Sequence, residues 1–229
     1  MQLLLEIKKL ILAAKSPDQM QTRIVAIDGC GGAGKTTFAA SLAETLENCP
    51  VIHTDDFASW DHPIDWYPRL IEEVLEPLRQ NHVAHYQKFD WQANQLGQWE
   101  ILEPCYVVIL EGVSASRSEF RRYLSFSIYI ETDRELRLKR GIERDGEEIL
   151  PLWQEWMAEE DEYVLCDKPQ KYADRVLYGN TETLMRISSS FYLIALSRLI
   201  VLQRFQAMVS PYPVGTIHRP TRWSSDGSK

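Results

Sequence analysis

Residues 29–36 read Gly-Cys-Gly-Gly-Ala-Gly-Lys-Thr, a complete GxxxxGK[ST] pattern. The chemistry open to such a pattern is the capture of phosphate. Glycines let the backbone curl round an anion with its N–H groups pointing inward, and a following helix adds the positive end of its dipole. The candidate phosphate binders are Gly29, Cys30, Gly31, Gly32, Ala33, Gly34, Lys35, Thr36 and Thr37. Lys35 is expected to reach the β- and γ-phosphates of a nucleotide, and the Thr36 hydroxyl to ligate Mg²⁺. The context is the one this mechanism needs. Ile24-Val25-Ala26-Ile27 has strand character, and a helical pattern opens directly after the loop at Thr37-Phe38-Ala39-Ala40.

Carboxylates follow at two strand ends. Val51-Ile52-His53-Thr54 reads as a second short strand, with Asp55-Asp56-Phe57 at its C-terminal end. In open α/β sheets that edge is where ligands bind. One carboxylate there can accept a proton from a substrate hydroxyl while the other helps to hold Mg²⁺ or its waters. A solvated turn or a helix-capping pair is the alternative, since Asp is common at both. Tyr106-Val107-Val108-Ile109-Leu110 is a continuous apolar run of the kind buried on both faces of a parallel sheet, and Glu111-Gly112 ends it. An acid in that place holds Mg²⁺ directly or through water, unless it merely caps the next turn.

Further along, Arg137, Arg140 and Arg144 fall at i, i+3 and i+7 on one helical face. Guanidinium groups stabilise the charge that phosphoryl transfer spreads over the γ-phosphate oxygens. The alternative is a salt-bridged surface helix, because Glu135, Glu143, Glu147 and Glu148 are close by.

The elements that must position these groups are legible as a pattern. Five apolar runs, at 23–28, 51–54, 106–110, 126–130 and 175–178, read as strands, and helical patterns separate most of them. That alternation predicts a parallel α/β sheet. Residues 84–103 break it: two strand-like stretches flank Asn94-Gln95-Leu96-Gly97, which predicts an inserted hairpin with its turn there. Trp91 and Trp99 on this hairpin can stack on a planar substrate or pack into the core. Ahead of the first strand, Leu3, Ile7, Leu10 and Ile11 recur at helical spacing, and the charges of Glu6, Lys8 and Lys9 exclude a secretory leader.

Composition narrows the function class. The 229 residues are 45% hydrophobic and 25% charged, which suits one globular domain. A net charge of −8 argues against a nucleic-acid surface. The four cysteines, Cys30, Cys49, Cys105 and Cys166, show no metal-binding spacing and read as reduced thiols of a cytoplasmic protein. Cys30 is either oxidant-sensitive or a small filler of the loop. Residues 181–229 carry six Lys and Arg against two Asp and Glu. Arg198 near the middle of the apolar stretch at 187–209 argues against a membrane span. The expected form is a C-terminal helix packed on the sheet or on a second copy, followed by a poorly ordered tail.

On these residues the chain resembles the uridine kinase-like branch of the P-loop kinases. The shared segments run from Ile27-Asp28-Gly29 through Asp55-Asp56-Phe57, Asp61-His62-Pro63, Phe89-Asp90-Trp91 and Glu111-Gly112-Val113 to Arg140-Gly141-Ile142-Glu143-Arg144-Asp145. They continue through Trp156-Met157-Ala158-Glu159-Glu160-Asp161 to residues 173–179. The resemblance implies a three-layer fold over residues 1–180 with strand order 2-3-1-4-5. It also implies ATP and Mg²⁺ as cofactors and a small-molecule hydroxyl as acceptor. Asp55 would be the general base, with Lys35, Arg140 and Arg144 completing the catalytic set. Thr36, Asp56 and Glu111 would serve the metal, and Asp61, Phe89 and Arg137 the acceptor. Residues 137–148 would form a lid. Two departures bear on specificity: Ala58 stands where nucleoside kinases of this branch carry a Tyr, and Phe89 and Asn94 replace the Tyr and His of the base-recognition segment. Uridine and cytidine are therefore expected to be poor acceptors. A regulatory ATPase is the alternative class, but the switch segments and water-positioning Gln or Glu it needs are not identifiable.

Overall fold

Alternation along the first strand explains the layering. In the computed structural model, which describes residues 2–58 and 66–180, β1 spans Arg23–Asp28. Ile24 and Ala26 point into one apolar layer while Val25 and Ile27 point into another. The second layer is filled by Leu4, Ile7 and Ile11 of helix α1 (Gln2–Ala13) and by Phe38 and Leu42 of α2 (Lys35–Thr45). Strand β2 (Val51–His53) follows α2. The first layer receives Leu70 of α3 (Tyr67–Leu70), Val74 and Leu75 of a π-helical turn (Ile71–Leu75), and Leu78 of α4 (Glu76–Arg79). These three pieces are one helical stretch. The widened turn lies just before Pro77, which has no N–H to return to the carbonyl four residues back.

Strands β3 (Ala84–Asp90) and β4 (Gln95–Leu102) pair antiparallel as the inserted hairpin. Its turn lies at residues 91–94 rather than at 94–97. The Asp90 carboxylate accepts the N–H groups of Gln92 and Ala93, and Asn94 takes a left-handed φ of 50°. An Asp that can hold its own following backbone nucleates the turn earlier than the glycine suggested.

The chain then returns to the main sheet through β5 (Val107–Glu111) and β6 (Leu124–Glu131). Tyr106, read as part of that run, is 60% exposed and precedes the strand. Helices α5 (Arg134–Asp145), α6 (Leu150–Asp167) and α7 (Pro169–Tyr172) lead to the last strand, β7 (Arg175–Tyr178). The parallel sheet has the order β2-β5-β1-β6-β7, which is 2-3-1-4-5 once the hairpin strands are set aside. Helices cover both faces, so the fold is the expected three-layer P-loop architecture. Asp61 and residues 181–229, with the helix and tail expected there, lie outside the described residues.

A small third cluster joins α5 to α6. Ile149, Trp153 and Met157 pack against Leu138 and Ile142. The Trp153 ring lies directly on the backbone of Gly141, where an added Cβ would meet ring atoms at 2.5 Å. Gly141→Ala should therefore lower stability by about 1–3 kcal/mol through overpacking, although alanine is the better helix former. The shift in the urea unfolding midpoint measures it; an unchanged or raised midpoint would show that Trp153 yields freely.

Candidate active site

The sheet register builds the site. Ile27 and His53 both pair with Glu111, one on each side of β5, so the C-terminal ends of three strands fall in line. The phosphate loop leaves β1 at that line and enters α2 through Gly34, whose φ of 95° is left-handed and whose missing Cβ would face open space. Lys35 is buried and its ammonium donates to the Cys30 carbonyl at 3.0 Å, folding back over the loop. Cys30 is also buried. Burial pushes its thiol up, and its Sγ lies 3.7 Å from the Tyr129 hydroxyl, so it is a filler of the loop.

Glu111 is tied to two side chains of the site. Its Oε1 accepts the Thr36 hydroxyl at 3.1 Å and its Oε2 lies 2.6 Å from His53 Nδ1. Burial pushes the Glu111 carboxyl up, but the His53 hydrogen bond, Lys35 and Thr36 outweigh it and hold the group below its ordinary range. The same contact acts in reverse on His53. Burial pulls the imidazole down, and the Glu111 carboxylate more than restores it, leaving it above its usual value. Glu111 is thus kept ionised beside a hydroxyl, a hard oxygen pair of the kind Mg²⁺ takes while retaining waters and phosphate oxygens. Among the described residues no three His, Cys, Asp or Glu side chains converge as a self-sufficient metal cage. Thr36 and Glu111 fit an ion shared with a phosphate.

Asp55 and Asp56 sit in a short turn after β2 and diverge. Asp55 is exposed at the site mouth, and its carbonyl accepts the Trp91 indole N–H at 3.2 Å. The Asp56 carboxylate is buried, 3.6 Å from Lys88 of the hairpin. Around them, Phe57 stacks on Tyr86 with centroids 5.2 Å apart, and Arg69 lies over the other neighbourhood of Phe57 at 4.9 Å. Phe89 meets Trp91 edge-on at 5.1 Å. Trp91 therefore belongs to the wall beside Asp55, whereas Trp99 is 64% exposed and not in the core. Of the two specificity departures, Ala58 is buried beside this wall and Asn94 is exposed on the hairpin turn.

The three arginines do not share one role. Arg137 is buried, donating to the Thr132 carbonyl and pairing with Glu160 of α6 at 3.1 Å. Arg140 donates to the carbonyls of Gly32 and Gly179, at 3.2 and 3.0 Å, and so holds the loop from behind. Arg144 is paired with the adjacent Asp145 at 2.6 Å, near the Trp153 ring. The segment expected as a lid, 137–148, comprises most of α5, which packs on the phosphate loop at Gly32, and the start of a 3-10 turn at Glu147–Ile149.

Residues 25–164 match a family model described as an AAA domain. A uridine kinase from Macrococcus caseolyticus is 30% identical over 146 residues, 56% of this chain and 71% of that protein. The chain belongs to this P-loop family, in its uridine kinase-like branch. A uridine kinase from Borrelia turicatae is 25% identical over 193 residues, covering 74% of this chain and 93% of its own. In fold, this uridine kinase-like protein is similar to a possible uridine kinase from Bacillus stearothermophilus, with a TM-score of 0.56 and 24% identity over 77% of this chain and 100% of that one. Kinase chemistry on a nucleotide-binding loop is thus a property of the family.

Four residues of this uridine kinase-like site had no role assigned from sequence: His53 and Tyr163, and Asp28 and Glu160, which lie within the shared segments 27–29 and 156–161. Asp28 is fully buried and accepts from five donors. The Gly29 and Ser114 N–H groups bind one oxygen, and the Ser116 N–H, the Ser116 hydroxyl and the Tyr163 hydroxyl bind the other. It ties the loop to the segment after β5 and to α6. A Ser-rich stretch such as Ser114-Ala115-Ser116 offers a weak hint of an anion nearby, but nothing in sequence joins it to Asp28. Asp28→Asn should destabilise the protein by about 2–3 kcal/mol, because the amide cannot accept from all five donors. Urea unfolding measures this; a loss no larger than that of an exposed substitution would mean water replaces the carboxylate.

Proposed function

We propose that this kinase transfers the γ-phosphate of ATP to a hydroxyl of a small molecule. The carrying observation is the line of Thr36, Glu111 and His53 at the loop, with the exposed Asp55 carboxylate beside it at the mouth. Asp55 takes the proton of the acceptor hydroxyl as the new O–P bond forms, and the bond to the leaving ADP oxygen breaks. Lys35 offsets the charge gathering on the phosphate oxygens, and the α2 N-terminus holds the phosphates that stay behind. Thr36 and Glu111 would hold Mg²⁺, which draws charge from the phosphate oxygens when bound. In this reading Asp56 supports the metal from its place against Lys88. Arg140 and Arg144 shape the loop and the helix over it. Four free cysteines support a cytoplasmic setting.

We place the acceptor beside the aromatic cluster of Phe57, Tyr86, Phe89 and Trp91, with Ala58 and Asn94 in place of a hydroxyl and an imidazole. The pyrimidine base of uridine or cytidine placed there would leave its polar edge unmatched. We read the acceptor as a different hydroxyl compound, a sugar-like metabolite or another nucleoside.

Lys35→Ala should reduce phosphoryl transfer by on the order of 10²-fold or more. Asp55→Asn should lose transfer while ATP binding stays near normal, since the phosphate cradle is untouched. Coupled ADP-release assays with calorimetric ATP binding separate the two. If Asp55→Asn keeps its kcat and only the KM for ATP rises, the base lies elsewhere.

In a panel of hydroxyl metabolites with ATP and Mg²⁺, uridine and cytidine should fall roughly 5- to 150-fold below the best acceptor in kcat/KM. Uridine as the best acceptor, at an ordinary enzymatic kcat/KM above ~10⁴ M⁻¹s⁻¹, would refute the specificity reading.

A further inference from the structure

Helix α6 buries Trp153, Met157 and Glu160, at i, i+4 and i+7, and so lays one face along the phosphate loop. The Trp153 ring and the Glu160 carboxylate lie so close over Gly31 that a Cβ there would touch each at 3.0 Å. Glu160 Oε1 accepts the Gly31 N–H at 2.8 Å, and its Oε2 accepts from Arg137 at 3.1 Å. Side chains of this pair are 10% and 7% exposed, and Lys35 is near enough to act on the carboxylate. One loop N–H and one buried guanidinium are therefore held by an anion that belongs to the protein.

These are donors a phosphate oxygen would use. In loops of this kind the backbone N–H groups cradle the α- and β-phosphates, while the Lys, here folded onto the Cys30 carbonyl next to Gly31, reaches on to the β- and γ-phosphates. Gly31 lies in the first half of the loop, away from the helix start, in the reach of Lys35. A nucleoside diphosphate can fill the helix end and leave Glu160 in place. A triphosphate brings its terminal group, with its own negative charge, against the carboxylate. Two anions cannot share one N–H and one guanidinium in a water-poor site without strong repulsion.

We propose that Glu160 is a gate selective for the terminal phosphate: its carboxylate holds the Gly31 N–H and Arg137 until a nucleoside triphosphate, but not a diphosphate, displaces it and takes both donors. This rests on the nucleotide-binding reading of the loop and adds a residue that reads how many phosphates are present. Displacement is eased because burial already pushes the Glu160 carboxyl up, only partly offset by Lys35, Gly31 and Arg137. Arg137, free of its partner, then serves the γ-phosphate rather than the acceptor. Should Glu160 be only a brace that fastens α6 to the loop, its loss would act on both nucleotides alike.

The test is calorimetric binding of AMP-PNP and of ADP, each with Mg²⁺, to the full chain. Glu160→Gln keeps an acceptor for the Gly31 N–H but removes the charge, and should tighten AMP-PNP roughly 5- to 20-fold with ADP unchanged. Arg137→Lys should weaken AMP-PNP and spare ADP. On the unaltered protein, amide exchange across residues 153–161 should rise with AMP-PNP relative to ADP, a readout that needs no variant to fold. Equal effects of Glu160→Gln on the two nucleotides, or equal exchange in α6, overturn the gate and leave the nucleotide reading standing. Failure of the unaltered protein to bind either nucleotide overturns that reading, and the gate with it.

Discussion

A loop that captures phosphate through its backbone has few hydrogen bonds of its own to hold its shape, here the Ala33 N–H and the Lys35 ammonium on the Cys30 carbonyl, because most of its N–H groups must be left to offer. The rest of the bracing comes from elsewhere in the chain. Here the carbonyls of Cys30, Gly32 and Ala33 accept from Lys35, Arg140 and Thr132, while the Gly29 and Gly31 N–H groups are taken by Asp28 and Glu160. The braces come from β1, α2, α5, α6 and the segment after β6. The helices on this side of the sheet are therefore parts of the site, and the Trp153–Gly141 contact that fastens α5 to α6 is part of its foundation.

The same bracing answers an electrostatic difficulty. The chain carries a net charge of −8, yet its proposed substrate is a polyanion. Long-range attraction is not available, so selectivity for anions must be local. Around the loop the buried carboxylates of Asp28, Glu111 and Glu160 each have hydrogen-bond partners. Asp28 is saturated by neutral donors, Glu111 by His53 and Thr36, and Glu160 by Arg137 and a loop N–H. Lys35 and Arg137 are the cations inside that shell. Lys35 is held by the Cys30 carbonyl, and Arg137 by the Thr132 carbonyl and the Glu160 carboxylate.

On the opposite side the hairpin closes the mouth. Trp91 reaches back to the Asp55 carbonyl and Lys88 to the Asp56 carboxylate, so the insertion positions both acids through the turn after β2. Its aromatic lining is packed on Phe57 and Arg69 of the main body. In the proposed reading, chemistry rests on the strand ends of the sheet and acceptor choice on the hairpin.

By itself the sequence determined what is local or periodic. The octapeptide at 29–36, the apolar runs that became β1, β2, β5, β6 and β7, the acids at strand ends and the presence of a hairpin all follow from spacing along the chain. The amphipathic first helix did too, and Leu3 and Leu10 flank its buried Leu4, Ile7 and Ile11. Only the tertiary structure decided which partners meet across large separations. His53 finds Glu111 because β2 and β5 pair in one particular register, and Arg137 finds Glu160 because α6 crosses α5 over the loop. The hairpin turn moved to residues 91–94 because Asp90 could bind the backbone beyond it, a choice between two competing local signals. Spacing reports periodicity within an element. It carries no information on the pairing of elements, and that pairing places a buried carboxylate on the loop.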